Sequence, residues 1–269
     1  MSDEAAFNVV AILQARMSSS RLPGKVLMDL VGRPILVWGV ERTRRARRVN
    51  QVVVATTVDP ADEPIVFLCQ ERGYPWWRGH PYDVLDRFYQ AARHFKADIV
   101  VRVTADCPLI DPGLIDATVE ALLREKADFA ANRLPPPWQR TYPIGLDVEV
   151  CTFAVLERAW REAQAPHHRE HVMPYLYEVP GRFRTVVLDA DADYGQVRWT
   201  VDTPQDLEAV RQLVILLGGR DDFTWREALA VWQAHPELAA LNARVNHHSY
   251  KDVDARFNSG RASQGDNSL

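Results

Sequence analysis

The feature that most constrains this chain is a rhythm. Short apolar runs, each closed by an abrupt polar stretch, alternate with segments of helical spacing. Val9-Val10-Ala11-Ile12-Leu13 lacks any polar alternation, which predicts a strand buried on both faces. Val52 to Thr56 and Ile99 to Val103 predict two more strands of the same kind. Between them, Pro34 to Arg45, Ala61 to Arg72 and Tyr82 to Phe95 read as helices. In the last of these, Val84, Leu85, Phe88, Ala92 and Phe95 fall on one side. Leu114 to Arg124 is a further helix. Strands joined by helices of this length imply right-handed crossovers, and so an α/β fold whose mostly parallel sheet is sandwiched by helices. Ligands of such sheets gather at the carboxyl ends of the strands. The chain places its unusual polar residues there: Gln14 to Lys25 after the first strand, and Thr104 to Asp106 after the third.

From Asn132 the rhythm breaks. Pro135-Pro136-Pro137 is followed by short strand candidates at Leu146 to Val150 and Phe183 to Leu188. Residues 132–196 therefore predict an inserted lobe, after which the sheet resumes at Val197 to Val201. Pro204 opens a strong helix with Leu207, Val210, Val214 and Leu217 at helical spacing, and Trp225 to Ala234 and Pro236 to Val245 are shorter ones. The expectation is one domain over 1–246, with a mobile, apolar-poor tail at 247–269. Lys plus Arg number 32 against 36 for Asp plus Glu, a formal charge of −4, which argues against a general nucleic-acid binder. Cys69, Cys107 and Cys151 are scattered and show no Cys-x-x-Cys spacing, so neither a disulfide framework nor a zinc ribbon is expected. The start, Met1-Ser2-Asp3-Glu4, is acidic where a secretory signal is basic. The longest aliphatic run, Leu213 to Leu217, falls far short of the ~20 residues of a membrane helix. A cytoplasmic protein with no membrane or nucleic-acid partner is expected.

The densest chemistry lies in Gln14-Ala15-Arg16-Met17-Ser18-Ser19-Ser20-Arg21-Leu22-Pro23-Gly24-Lys25. Three cations, three hydroxyls and a glycine at the end of a buried strand can wrap a polyphosphate with side-chain and backbone donors. It is not a Walker loop, because Ser19 replaces a required Gly and Val26 follows the Lys. The second site is Thr104-Ala105-Asp106-Cys107-Pro108-Leu109, a strand-end carboxylate suited to a hard divalent cation. The third, Val201-Asp202-Thr203-Pro204, repeats that geometry at the entry to a helix, where Asp202 could also be a plain cap. Asp111, before Pro112, fits a capping role better than Asp106 does.

Taken together, Leu13 to Lys25, Thr104 to Leu109 and Val201-Asp202-Thr203-Pro204-Gln205-Asp206-Leu207 resemble the cytidylyltransferases that activate sugar acids. The resemblance spans about residues 8–217. It is strongest to the spore coat polysaccharide biosynthesis protein F group, relatives of the CMP-Kdo and CMP-sialic acid synthetases. It implies a nucleotide-diphospho-sugar transferase fold, GT-A-like and Rossmann-like, and a homodimer formed through the 132–196 lobe. It also implies Mg²⁺-dependent transfer of CMP from CTP to a small acidic sugar, with diphosphate released, for polysaccharide biosynthesis. Carried over by position, Leu13 and Ala15 would offer backbone to the cytosine. Arg16, Ser20, Arg21 and Lys25 would hold the triphosphate, and Asp106 and Asp202 the metal. Gly79 and Asp83 to Arg87 fall where the family contacts base and ribose. Kdo synthetases carry Gln-Gly-Asp where this chain has Thr104-Ala105-Asp106, so base contacts at Thr104 differ. Tyr142 to Val150 resembles the spore coat group, which makes Asp147 and Glu149 sugar-contact candidates.

Other features are set against simpler readings. The run Arg42-Thr43-Arg44-Arg45-Ala46-Arg47-Arg48 ends a helix, where solvated cations favour the dipole. His167 and His171 are four apart and could share a helix face, but no His-Glu-x-x-His motif exists. Arg169 and His171 are candidate substrate contacts. Cys107 reads as a packing residue, since phosphoryl transfer needs no thiol, and Trp76 and Trp77 read as core or interface. A glycosyltransferase of the same fold is the rival enzyme class, but Pro108 breaks its Asp-x-Asp motif. A nucleotide-binding module without turnover is the third reading, and Arg16, Lys25, Asp106 and Asp202 together argue against it.

Overall fold

A computed structural model describes residues 7–135, 137–245 and Lys251. The expected mobile tail, 247–269, lies outside the described residues apart from Lys251. Strands are β1 (Val9–Gln14), β2 (Asp29–Leu30), β3 (Arg33–Pro34), β4 (Gln51–Thr57), β5 (Trp76–Gly79), β6 (Ile99–Thr104), β7 (Phe129–Ala131), β8 (Glu149–Thr152) and β9 (Thr185–Val187). Helices are α1 (Ile35–Arg44), α2 (Glu63–Arg72), α3 (Val84–His94), α4 (Pro112–Arg124), α5 (Phe153–Glu162), α6 (Pro166–His171), α7 (Pro174–Tyr177), α8 (Pro204–Leu216), α9 (Trp225–Ala234) and α10 (Pro236–Asn242).

Seven strands form one sheet in the order β5-β4-β1-β6-β8-β7-β9, with β2 and β3 a separate hairpin. Within the seven-stranded sheet only β8 runs antiparallel to its neighbours; the other pairings of that sheet are parallel. The apolar strands are buried on both faces as expected. Val9, Ala11 and Leu13 enter one core with α1, α4 and α8, while Val10 and Ile12 enter a second core with α3 and α5. Alternate residues facing two helical layers explain why these runs show no polar alternation. Side-chain caps start α3, α4, α5, α8 and α9. Asp111 accepts from Leu114 N, as its sequence position predicts, and Asp83 accepts from Asp86 N. Among the described residues no helix is long and apolar enough to cross a membrane.

Three expectations about the sheet are corrected. Val197 to Val201 does not return to the sheet. Instead Trp199 N donates to Ile144 O at 2.7 Å and Val201 N to Asp106 O at 2.8 Å, so the segment crosses the loops at the sheet's carboxyl edge. Gly145 makes that crossing possible: a Cβ there would stand 2.6 Å from Thr200 N, and its φ is +104°. The strand expected from Leu146 begins only at Glu149, because Asn132 takes over the pairing role. Its side-chain Nδ2 donates to Leu146 O and its side-chain Oδ1 accepts from Val148 N. Finally, residues 132–196 contribute β8 and β9 to the central sheet instead of standing wholly outside it. The cationic run keeps its solvated reading at Arg44, Arg45, Arg47 and Arg48, which are exposed, and departs from it at Arg42. Arg42 is fully buried, donating to the carbonyls of Ile110, Asp221 and Phe223.

Candidate active site

The site grows from strand register. β1 and β6 pair in parallel with Gln14 beside Thr104, so the two polar segments that follow leave the sheet side by side. After β1 the chain closes a tight loop. Met17 O accepts from Ser19 N at 2.9 Å and from Gly24 N at 2.8 Å, and Met17 N donates to Asp62 Oδ1 at 2.7 Å. Asp62 is itself buried and accepts from the Thr57 hydroxyl. Gly24 sits at φ +73°, in the left-handed region that a glycine adopts without strain. The chain then enters the 3₁₀ turn Lys25–Leu27 with the Lys25 side chain only 9% exposed.

Lys25 draws the remote carboxylates together. Its Nζ lies 2.7 Å from Asp106 Oδ2 and 2.8 Å from Asp202 Oδ1. Burial alone would lower the ammonium's pKa, but the two carboxylates outweigh it and hold it above the ordinary value. Asp202 also receives Arg21 Nη2 at 2.9 Å and Arg198 Nη2 at 2.8 Å. Burial works against its charge, yet Lys25, Arg21 and Arg198 bring its carboxyl down to about 2. Asp202 is not the cap of α8. That role belongs to Thr203, whose hydroxyl accepts from Asp206 N in a reciprocal capping box. Both carboxylates reach one cation, and their oxygens are the donors that a hard divalent ion prefers.

Around this cluster lies a cavity of about 290 Å³ lined by residues of the cationic loop, Val84 and Arg87 of α3, and Glu170 and His171 of α6. Of the residues expected from sequence, Ala15, Arg16, Ser20, Arg21, Lys25, Arg87, Thr104, Asp106, His171 and Asp202 line it together. Six do not. The Leu13 side chain packs in the core, which leaves its expected backbone contact untouched. Gly79 packs under Arg87, whose Cγ would stand 3.0 Å from an added Cβ. Asp83 caps α3 and receives Arg169 through both Nε and Nη2. Arg169 also donates to Trp160 O, so it braces the wall of the cavity. Asp147 pairs with Arg140, and Glu149 with Arg102.

Arg87 is the unusual member. Its side chain is 2% exposed overall, and its Nε and Nη1 are buried with no hydrogen-bond partner. Burial first, then repulsion from Arg16, pulls its pKa down to about 10. Cys107 behaves as expected: burial, reinforced by Asp106 and Asp147, pushes its thiol far up, so no thiolate faces the site. Glu170 was not singled out from sequence as a site residue. The signal for it was its position directly before His171, but only the approach of α6 to α3 places it on the wall.

The chain is similar to known proteins of one family. A family model described as Cytidylyltransferase matches residues 10–229. The spore coat polysaccharide biosynthesis protein SpsF of Bacillus subtilis is 30% identical over 239 residues, covering 86% of this chain and 97% of its own length. A 3-deoxy-manno-octulosonate cytidylyltransferase of Anaeromyxobacter dehalogenans is 30% identical over 240 residues, covering 77% of this chain and 98% of its own. Among solved structures, a cytidylyltransferase from Leptospira borgpetersenii superposes with a TM-score of 0.82 at 30% identity, covering 90% of this chain and all of that one.

Proposed function

Because this chain belongs to the cytidylyltransferase family, we propose that it transfers CMP from CTP to a sugar acid of the ulosonic or nonulosonic type and releases diphosphate. The observation that carries this reading is the convergence of Asp106 and Asp202 on one cationic centre beneath the loop bearing Arg16 and Arg21. In the reaction, a sugar hydroxyl oxygen bonds to the α-phosphorus while the α–β phosphoanhydride bond breaks. Diphosphate takes the electron pair and the hydroxyl proton is released. Such transfers need positioning and charge stabilisation more than covalent help from the protein.

Arg16, Arg21 and the small hydroxyls of the loop would hold the β- and γ-phosphates, and Arg87 would give its unpaired N–H groups to the nucleotide. Asp106 and Asp202 would hold Mg²⁺, which supplies positive charge to phosphate oxygens when bound. Lys25 neutralises both carboxylates, so its expected hold on the triphosphate requires it to exchange partners. Two features support an acidic acceptor. The cavity is lined by Arg16, Arg21, Lys25 and Arg87, and a relative over nearly its full length is named for 3-deoxy-manno-octulosonate. The test is diphosphate release from CTP with a panel of sugar acids and neutral sugars. Release with a keto-deoxy acid and none with neutral sugars is expected; equal release with both contradicts the acidic acceptor.

The homodimer belongs to the same reading. Residues 132–196 carry β9, which forms one edge of the sheet, and helices α5 to α7. An open edge strand is a ready surface for a twofold partner. Light scattering at micromolar concentration should give a dimer mass, and a monomer mass would reject this part.

A further inference from the structure

Away from the carboxylate pair, α6 carries a second cluster of donors. His167 Nε2 lies 2.8 Å from Glu178 Oε1, and His168 Nε2 lies 2.6 Å from Glu178 Oε2. One ligand atom from each of the three residues falls within 4.8 Å of the others. All three side chains are largely withdrawn from solvent, at 23%, 13% and 20% exposure. The imidazoles are sequence neighbours with ring centroids 4.2 Å apart, and both aim Nε2 at one carboxylate. His168 Nδ1 is buried without a partner, so Nε2 is that ring's single polar engagement. Glu178 follows α7 directly, whereas the two histidines open α6. The cluster thus ties the two short helices together across Val172, a buried β-branched residue held at φ +71°. A backbone in that region persists only where its surroundings fix it on both sides.

We propose that His167, His168 and Glu178 form a site for a divalent transition metal of the Zn²⁺ type, which staples α6 to α7. Two imidazole nitrogens and a carboxylate are the donor set that Zn²⁺ accepts with a fourth position open. The same set discriminates against Mg²⁺, which demands oxygen donors. The staple acts on the cavity by position, because Glu170 and His171 of α6 line it and Arg169 of the same helix grips Asp83. The site is independent of the nucleotidyl-transfer reading.

The test is titration of the metal-stripped full chain with Zn²⁺, with Mg²⁺ in large excess to compete at Asp106 and Asp202. Co²⁺ is then used in its place as a spectroscopic probe. One equivalent of Zn²⁺ per chain should bind and raise the melting temperature, and Co²⁺ should show the intense visible bands of a low-coordinate nitrogen-containing site. His168→Gln and Glu178→Gln should each weaken binding at least tenfold while circular dichroism shows a folded chain. Failure of the wild type to bind a stoichiometric Zn²⁺ under excess Mg²⁺ overturns the proposal, whatever the variants do. Binding that both variants leave unchanged overturns it equally.

Discussion

Two arginines are buried to nearly the same degree in this molecule and are treated in opposite ways. Arg42, fully buried on α1, gives its guanidinium N–H groups to the carbonyls of Ile110, Asp221 and Phe223 and lies 4.0 Å over the Phe223 ring. Arg87, on α3, has two buried nitrogens with no acceptor and faces the cavity. Burial brings both guanidinium pKa values down to about 10, so the depression itself does not separate them. The partners do. A buried cation whose donors all end on backbone carbonyls fixes the fold, because those carbonyls would otherwise be orphaned. A buried cation left unanswered beside a second cation is a cost that folding alone does not repay, and an anionic ligand would repay it. Lys25 stands between them, answered by two carboxylates that are themselves candidate ligands.

The contrast can be broken by substitution. The largest effect is expected at Lys25. Lys25→Ala should lower kcat by roughly 10²–10³, the loss typical of a removed electrostatic donor. A rise in KM for CTP with kcat intact would reduce Lys25 to ground-state binding. Next, Arg42→Met should destabilise the fold by at least about 3 kcal/mol, since three carbonyls lose their donors at roughly 1–3 kcal/mol for each unsatisfied group. Turnover per folded molecule should not change, and a denaturant melt alongside the diphosphate assay checks both. The smallest effect, opposite in sign, is expected at Arg87. Arg87→Met keeps the stem but removes the unanswered donors, which should stabilise the protein by about 1 kcal/mol while weakening CTP binding roughly tenfold. If Arg87→Met is instead destabilised as much as Arg42→Met, the two arginines do the same work and the contrast fails.

How much of this was legible in the sequence follows from the range of the interactions. β1, β4 and β6 announce themselves because a strand buried on both faces needs an unbroken apolar run, and the cationic loop because its donors lie within twelve residues. β5 does not: Trp76-Trp77-Arg78-Gly79 is short, mixed, and an edge strand with Trp76 partly exposed. α5 had its cap at Thr152 and its buried Val155, Leu156 and Ala159 at helical spacing, but it fell where the rhythm had already broken. Asp202 reached its expected place by an unexpected route, through a crossing segment in place of a strand end. Arg42 reads as solvated in the sequence because the carbonyls it ties lie 68 to 181 residues away. Such partners leave no local trace.

The central claim is that Asp106 and Asp202, 96 positions apart in sequence, act as one unit on the nucleotide. The direct measurement is a double-mutant cycle on diphosphate release from CTP, with melting temperature as the control. Asp106→Asn and Asp202→Asn should each remove most turnover, and the double variant should be little worse than either, because residues that share one ion do not add. Turnover is read per folded molecule, because Asp202→Asn leaves Lys25, Arg21 and Arg198 one carboxylate short and should itself melt lower. Near-normal turnover in Asp202→Asn with a markedly lower melting temperature would contradict the account, leaving Asp202 only as the structural partner of Arg198.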